Sequence, residues 1–361
     1  MSTPALIAVG GYSRSGSGRG PGLELLQVTS DPEAAAADGA SALTVQRRAT
    51  VDLPDPSFVL WSPDGSLLYA VLETRPTRVV AVRVGHDGTS AELVADLELE
   101  GSGGCHLALG RSPSTLLVAD YGSGTVETVL LDAAGLPAEL IDVDDHHDRA
   151  DGEESHPHQV RQLPGTELLA VPDLGLDRVF LYRQDAAGQM GLAGEIPLSR
   201  GSGPRHLAPD HESEQLHISC ELSGMIATAV RRPATPESAA PSVLGTASHS
   251  WSVRSMIPAS AREGDNALSH LELSADESVL LVANRGPDTL SALSLDLMRP
   301  QLVSEIAVGA HPRHFTLLGD LVLVAAQEGD RIDVLRLRGT ELAHAAEPIP
   351  APSVSCLAVR P

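Results

Sequence analysis

The sequence predicts an all-β chain closed into a seven-bladed β-propeller of four-stranded antiparallel blades. Seven short apolar runs end on a small or polar residue followed by a candidate rim residue, reading AVGGY, AVLE, VADY, VPDL, SCEL, VANRG and VAAQ. These place Tyr12, Glu73, Tyr121, Leu174, Glu221, Arg285 and Gln327 in equivalent positions, 42 to 64 residues apart. A repeat of about 50 residues made of short strands and turns is the mark of propeller blades. The apolar runs are rich in Leu and Val and too short for helices. Seven such repeats use up the 361 residues, so one propeller domain spans 1–361.

Each blade can be read in order. In the second repeat a strand Pro56–Trp61 meets the turn Ser62-Pro63-Asp64-Gly65 and a second strand over 67–71. Proline presets φ and glycine accepts the left-handed conformation, so this is strong turn chemistry. The sixth repeat has the same plan, with strands over 271–273 and 279–283 around Ser274-Ala275-Asp276-Glu277. Third strands are expected over 78–82, 125–129, 178–182 and 331–335, each after a glycine- or proline-containing turn. The Ala-, Pro- and Ser-rich segment at about 231–266 reads as an extended loop of one blade. The acidic, histidine-rich segment 142–154 reads as an exposed connection. Val354–Val359 is a strand candidate, and it is expected to join the N-terminal strands in one shared blade that closes the ring.

Composition narrows the function classes. The chain has no lysine, so all 25 basic residues are arginine. That excludes Schiff-base lysine chemistry and a Walker P-loop. A formal charge of −23 argues against nucleic acid and anionic membrane as partners. An anionic small molecule remains open if arginines gather where it binds. Cys105, Cys220 and Cys356 are odd in number and fit no zinc spacing, which suggests reduced thiols. With no signal-like N-terminus and no membrane-length apolar run, the expectation is a cytoplasmic protein, a monomer or weak homodimer.

The candidate site follows from blade equivalence. Counting back 16 residues from the rim positions gives Ser57, Cys105, His158, Arg205 and Ser269, and 14 back from Gln327 gives Arg313. These lie at the start of the first strand of each pair, and the rim residues leave the second. Antiparallel neighbours share an end, so both sets face one mouth of the central channel. That mouth should hold His158, Arg205, Arg285, Arg313, Glu73 and Glu221, with Gln327 on the rim. His106, His206, His270 and His314 stand beside them; a histidine repeated in four blades reads as architecture, with His106, His206 and His314 kept as secondary substrate contacts. Function breaks repeat symmetry, so the irregular members are the stronger candidates. His156-Pro157-His158 lacks a matched third ligand, so no metal is expected. The glycine stretches 101–104 and 201–203 precede strands, so no dinucleotide cofactor is expected either.

At these residues the chain resembles the seven-bladed lactonase family, which includes propeller-type 6-phosphogluconolactonases and the 3-carboxymuconate lactonizing enzyme. The resemblance covers essentially the whole chain. It rests on Ser155-His156-Pro157-His158, Val171-Pro172-Asp173-Leu174-Gly175, Gly201-Ser202-Gly203-Pro204-Arg205-His206, Glu221-Leu222-Ser223, Ala283-Asn284-Arg285-Gly286 and 119–124. It implies a cofactor-free site of His158, Arg205, Glu221 and Arg285 that opens a sugar-acid lactone, foremost 6-phosphogluconolactone in the pentose phosphate pathway. Glu221 or His158 would be the general base. Arg205 and Arg285 would hold the oxyanion and other anionic groups, with Arg313 a further anion contact. A lactonizing cycloisomerase and a non-catalytic binding propeller are the alternatives. The chain departs from the family pattern at Leu72 and Cys220, where asparagine usually precedes the rim glutamate, and at Asp120, also commonly asparagine.

Overall fold

A computed structural model describes residues 4–15, 18–31, 42–112, 114–150, 152–233, 249–296 and 299–361. Its strands, β1 to β28 in chain order, form seven four-stranded antiparallel sheets. The innermost strands are Pro56–Trp61 (β4), Gly104–Leu109 (β8), Arg161–Gln162 (β12), Pro204–Pro209 (β16), Ala267–Leu273 (β20), Pro312–Leu318 (β24) and Val354–Val359 (β28). They contact one another around the axis, and the remaining strands of each sheet step outward. The shared closing blade is present. β28 lies inside Ala5–Gly11 (β1), which is followed outward by Leu23–Asp31 (β2) and Ala42–Val51 (β3).

The core is divided among the blade interfaces. Seven apolar clusters each join the facing sides of two neighbouring blades. One of them packs Ile7 and Val9 of the first blade against Leu323 and Val334 of the last. Leu, Val, Ile and Ala dominate these clusters. At the turn beginning at Ser62, Asp64 Oδ1 accepts from Ser66 N at 3.1 Å and from Ser62 Oγ at 2.7 Å, and Gly65 takes φ +66°. The sixth repeat builds the same turn with Glu277 at φ +57°.

A register shift is what aims the site. Pro56 pairs with Leu72 but Phe58 with Val71, leaving Ser57 outside the ladder. Equivalent shifts fall between Gly104 and His106, Pro204 and His206, and Pro312 and His314. Each is a β-bulge, and a bulge re-aims side chains. Here it turns Ser57, Cys105, Arg205 and Arg313, and the residue after the serine and the two arginines, toward the axis.

Two segments differ from the sequence reading. Within 231–266 the chain is partly strand: Met225–Pro233 (β18) pairs with His249–Pro258 (β19) from Met225↔Pro258 to Pro233↔His249. Residues 234–248 of that expected loop lie outside the described residues. The segment 142–154 is not simply an exposed connection. Its first residues finish the strand Pro137–Asp145, and the next four form a short 3-10 turn. His146 is fully buried there, with Nδ1 2.7 Å from Asp173 Oδ2 and Nε2 2.9 Å from the Tyr182 hydroxyl. The carboxylate and the phenol satisfy both ring nitrogens, which makes this histidine tolerable inside. Among the described residues, no helix is long and apolar enough to cross a membrane.

Candidate active site

The bulges and the strand ends bring His158, Arg205, Glu221 and Arg285 to one mouth of the channel. Glu221 Oε2 lies 2.9 Å from Arg205 Nε and 2.5 Å from Arg285 Nη2. Arg285 is fixed by its own blade, since Nε and Nη2 donate to the carbonyls of Ala267 and Leu268, both at 3.1 Å. Arg205 is 2% exposed, and its Nε and Nη1 have no hydrogen-bond partner. The Nε contact with Glu221 is therefore an ion pair of poor hydrogen-bond geometry. A buried donor left open in this way costs about 1–3 kcal/mol unless something accepts from it. His158 is buried alongside, its ring 5.7 Å from Tyr121, with Nδ1 3.8 Å from Cys105 Sγ.

Electrostatics set the protonation states. Burial, then the charges of Arg205 and Arg313, hold the His158 pKa well below its ordinary value, so its imidazole is neutral at pH 7. Burial and the neighbouring Arg285 bring Arg205 down to about 9, with Glu221 opposing them. Burial pushes the Cys105 thiol far up, so it is no nucleophile. Three guanidiniums, Arg205, Arg285 and Arg313, thus surround this mouth with two carboxylates, Glu221 and Glu73. A chain of net charge −23 has gathered a local positive excess.

Two cavities flank the cluster. One, about 540 Å³, is lined by Tyr12, Glu73, Arg313 and Gln327 among others. Tyr12 donates its hydroxyl to Glu73 Oε2 at 2.7 Å, and the Arg313 guanidinium sits 5.3 Å from the Tyr12 ring centre. Arg313 forms no ion pair among the described residues, and the buried Gln327 Oε1 has no partner. The other cavity, about 410 Å³, runs from Glu221 past Asn266 to Asp265 and Arg262. Below the cluster the channel narrows to a throat of about 10 Å³ between Ser57, Cys105, His158, Arg205, Arg313 and Ser355.

The secondary histidines sit deeper. His206 and His314 line the throat, and His106 and His314 line the opposite mouth. Imidazoles of neighbouring blades touch: His206 and His270 approach with Nδ1 atoms 3.0 Å apart, and His270 stacks on His314 with centroids 4.1 Å apart. This is the architectural layer that a repeated histidine suggests, one level below the charged cluster. Sequence reasoning passed over Tyr12, Tyr121, His311 and Ser355 as site residues. The first two were marked as rim positions. Ser355 is the seventh member of the Ser57 set, hidden because no rim residue follows it to count from. His156 is occupied by Tyr121, stacking on its ring at 4.3 Å and bonding its carbonyl at 2.9 Å through Nδ1. Among the described residues no three His, Cys, Asp or Glu side chains converge as a metal site. The departures at Leu72 and Cys220 are packing positions, both buried in apolar clusters. Asp120 accepts from Thr77 Oγ1 at 2.6 Å in the wall between blades.

Comparison with known proteins decides the family. The family model described as "Lactonase, 7-bladed beta-propeller" matches residues 7–359. The chain belongs to this family. An uncharacterized Staphylococcus aureus protein (strain bovine RF122 / ET3-1) is 24% identical over 315 residues, covering 82% of this chain and 87% of the relative. The Pseudomonas aeruginosa periplasmic gluconolactonase superimposes with a TM-score of 0.83 at 22% identity, covering 99% of each chain. A Bacteroides fragilis protein taken to be a 6-phosphogluconolactonase gives 0.81 at 19% identity, covering 99% of this chain and 98% of that one. At such identities the structural likeness establishes the fold.

The lactonase motif Val171–Gly175 acquires a physical reason here. A Cβ on Gly175 would stand 1.9 Å from the carbonyl oxygen of Glu154, in the strap that carries His156 and His158. Asp173 ties the same strap down, accepting from His156 N at 2.9 Å and Ser155 Oγ at 2.7 Å. Gly175→Ala is expected to cost about 1–3 kcal/mol of stability through overpacking. Because the strap must shift, it should also lower catalytic activity. Urea unfolding checks the first effect; an unchanged midpoint would show that the strap yields freely.

Proposed function

We propose that this lactonase-family protein is a hydrolase that opens a sugar-acid lactone, with 6-phosphogluconolactone the first substrate to test. The observation that carries the reading is Arg205, buried with an unpartnered Nη1 beside a neutral histidine and a carboxylate-clamped second arginine. Lactone opening needs a water made nucleophilic and a seat for the oxyanion that forms on the carbonyl. Pre-aimed donors out of water supply that seat with little reorganisation.

The roles divide by geometry. Glu221 Oε2 is engaged by both guanidiniums, so its first task is to hold Arg205 and Arg285 in place. His158 is neutral, and its Nε2 has no hydrogen-bond partner among the described residues, which suits it to take the proton from water. Burial is the main cause of the neutral His158, and negative charge on the bound substrate would offset the smaller share contributed by Arg205 and Arg313. Proton return to the leaving alkoxide completes the hydrolysis. Arg313, without an ion pair in the cavity of about 540 Å³, suits a phosphate, and Gln327 Oε1 suits a sugar hydroxyl.

Arg205→Ala is expected to lower kcat/KM by about 2–4 kcal/mol, on the order of 10² to 10³ in rate, as for an oxyanion donor. His158→Asn should lower kcat with little change in KM. Kinetics on 6-phosphogluconolactone and gluconolactone, corrected for spontaneous opening, check both. A parent protein that accelerates neither lactone overturns the reading. Turnover of a carboxymuconate instead would place it with the lactonizing enzymes.

A further inference from the structure

His158 takes its aim from the backbone. Its ring meets other side chains only loosely, with Nδ1 3.8 Å from Cys105 Sγ and the Tyr121 and His206 rings 5.7 and 5.3 Å away, centre to centre. The strap 155–158 that carries it forms a short antiparallel bridge with Asp173 through Pro157. His158 N donates to the Pro172 carbonyl and Leu174 N to the His156 carbonyl, both at 3.0 Å. Pro157 has no N–H with which to add a third bond. Beyond the contact of His156 with Tyr121, the Asp173 side chain supplies most of the remaining ties.

Five donors meet that carboxylate, which is fully buried. Oδ1 accepts from the backbone N–H of His156 at 2.9 Å and from those of Gly175 and Leu176 at 3.1 Å. Oδ2 accepts from Ser155 Oγ and from His146 Nδ1, both at 2.7 Å. A carboxylate only accepts, so His146 carries a hydrogen on Nδ1. The far side of its ring is held by the Tyr182 hydroxyl, 2.9 Å from Nε2, and the Phe180 ring packs edge-on at 4.5 Å. Burial pushes the Asp173 pKa up, and the bond from His146, ahead of those from His156 and Ser155, brings it below the ordinary carboxylate value. Without that donor the buried carboxylate loses the partner that most favours its charge. A proton taken up there turns an acceptor into a donor, and the grip on the strap loosens.

The arrangement breaks the repeat. Gly11, Leu72, Asp120, Cys220, Asn284 and Ala326 stand in the place of Asp173 in the other blades, just before the rim residue. Among the described residues none of these six bonds a histidine. Function breaks symmetry where architecture keeps it, and this is the blade whose strap carries the candidate base. We infer that His146 is a positioning residue: through Asp173 it fixes the strap that aims His158 into the mouth. That His158 works as a base rests on the lactone reading; that His146 aims it does not.

The test uses the full chain, with His158 identified in isotope-labelled imidazole NMR spectra by the signal lost in His158→Asn. His146→Leu removes the donor and keeps the space filled. It should move the His158 signal and lower kcat about ten- to hundredfold with KM nearly unchanged, the scale of a small misplacement. His146→Asn returns an amide N–H near the place of Nδ1 and should restore both. Tyr182→Phe frees the far side of the ring and should give the same changes at smaller size, which preserves the test if His146→Leu folds poorly. A folded His146→Leu chain whose His158 signal and kcat are parental overturns the inference, as does a lowered urea midpoint with the signal unmoved. If the parent opens no lactone, the reading of the reaction fails while the His158 signal still decides this one.

Discussion

Acidification is expected to unfold this protein near pH 5, through the imidazoles on its axis. His106, His158, His206, His270 and His314 are enclosed in the channel, and burial lowers the pKa of each, to about 3 for His270. The unfolded chain takes up protons on these groups below about pH 6.5, while the folded chain takes them up only far lower. The unfolded state therefore binds more protons, and stability falls as pH drops below 6.5, being fully present above it. At pH 5 each neutral imidazole costs about 2 kcal/mol, so five cost about 10, comparable with the whole stability of a typical domain. Buried carboxyls work the other way, since burial raises the pKa of Asp120, Glu127, Glu24, Asp142, Asp210 and Glu272, while His217 and His311, both lowered to about 4 by burial, add to the imidazole side. Circular dichroism between pH 8 and 3 should show one cooperative loss, moved to lower pH by His206→Gln with His270→Gln. A chain still folded at pH 4 would mean that the imidazoles ionise in place.

The same layer shows what a sequence can and cannot disclose about a repeat fold. Period, strand length and turn chemistry were enough to locate the second strand of every blade, which is buried on both faces and reads as a short apolar run, and the third strand of four blades. The innermost strands, which carry the polar site residues, were located only in the second and sixth repeats and at Val354–Val359. The outermost strands escaped. Ala91–Glu98 alternates between half-buried and exposed positions, and Glu341–Pro350 carries two prolines, so neither gives a clean apolar signal. The four-residue constellation was legible because equivalent positions of a closed ring meet at one mouth. The pairing inside it was not. Nothing in the spacing says that one oxygen of Glu221 serves two arginines, or that Arg205 keeps a free nitrogen. Those facts depend on the bulge beside Arg205 and on the carbonyls that anchor Arg285. The burial of His146 was likewise invisible, since its partners Asp173 and Tyr182 lie in the next blade.

Removing residues 354–361 is expected to abolish the folded state. β28 is the innermost strand of its blade, and it carries the only ladder on that side of β1, from Ile7↔Val359 to Gly11↔Val354. Val354 and Leu357, 1% and 2% exposed, fill the cluster joining the last blade to the first, and Cys356 fills the next one. Burial of Val and Leu is worth about 1.5–3 kcal/mol each, and the lost ladder adds about 0.5–1.5 kcal/mol per hydrogen bond. The sum approaches the 5–15 kcal/mol or so that holds a domain together. Further bonds cross the seam: Ser355 Oγ to the Ser57 carbonyl at 2.8 Å, and Trp61 Nε1 to the Ala358 carbonyl at 3.0 Å. The opened ring would also expose the edge of β1, a template for aggregation. The site would go with it, because Tyr12, which bonds Glu73, is held by its backbone N–H on Ser353 O at 3.0 Å, next to the deleted strand. Loss of only Pro361, which is exposed, serves as the control and should unfold like the parent. Size-exclusion chromatography and urea unfolding decide the matter; a truncated chain that elutes like the parent with the parental midpoint would show that the ring does not depend on its closing strand.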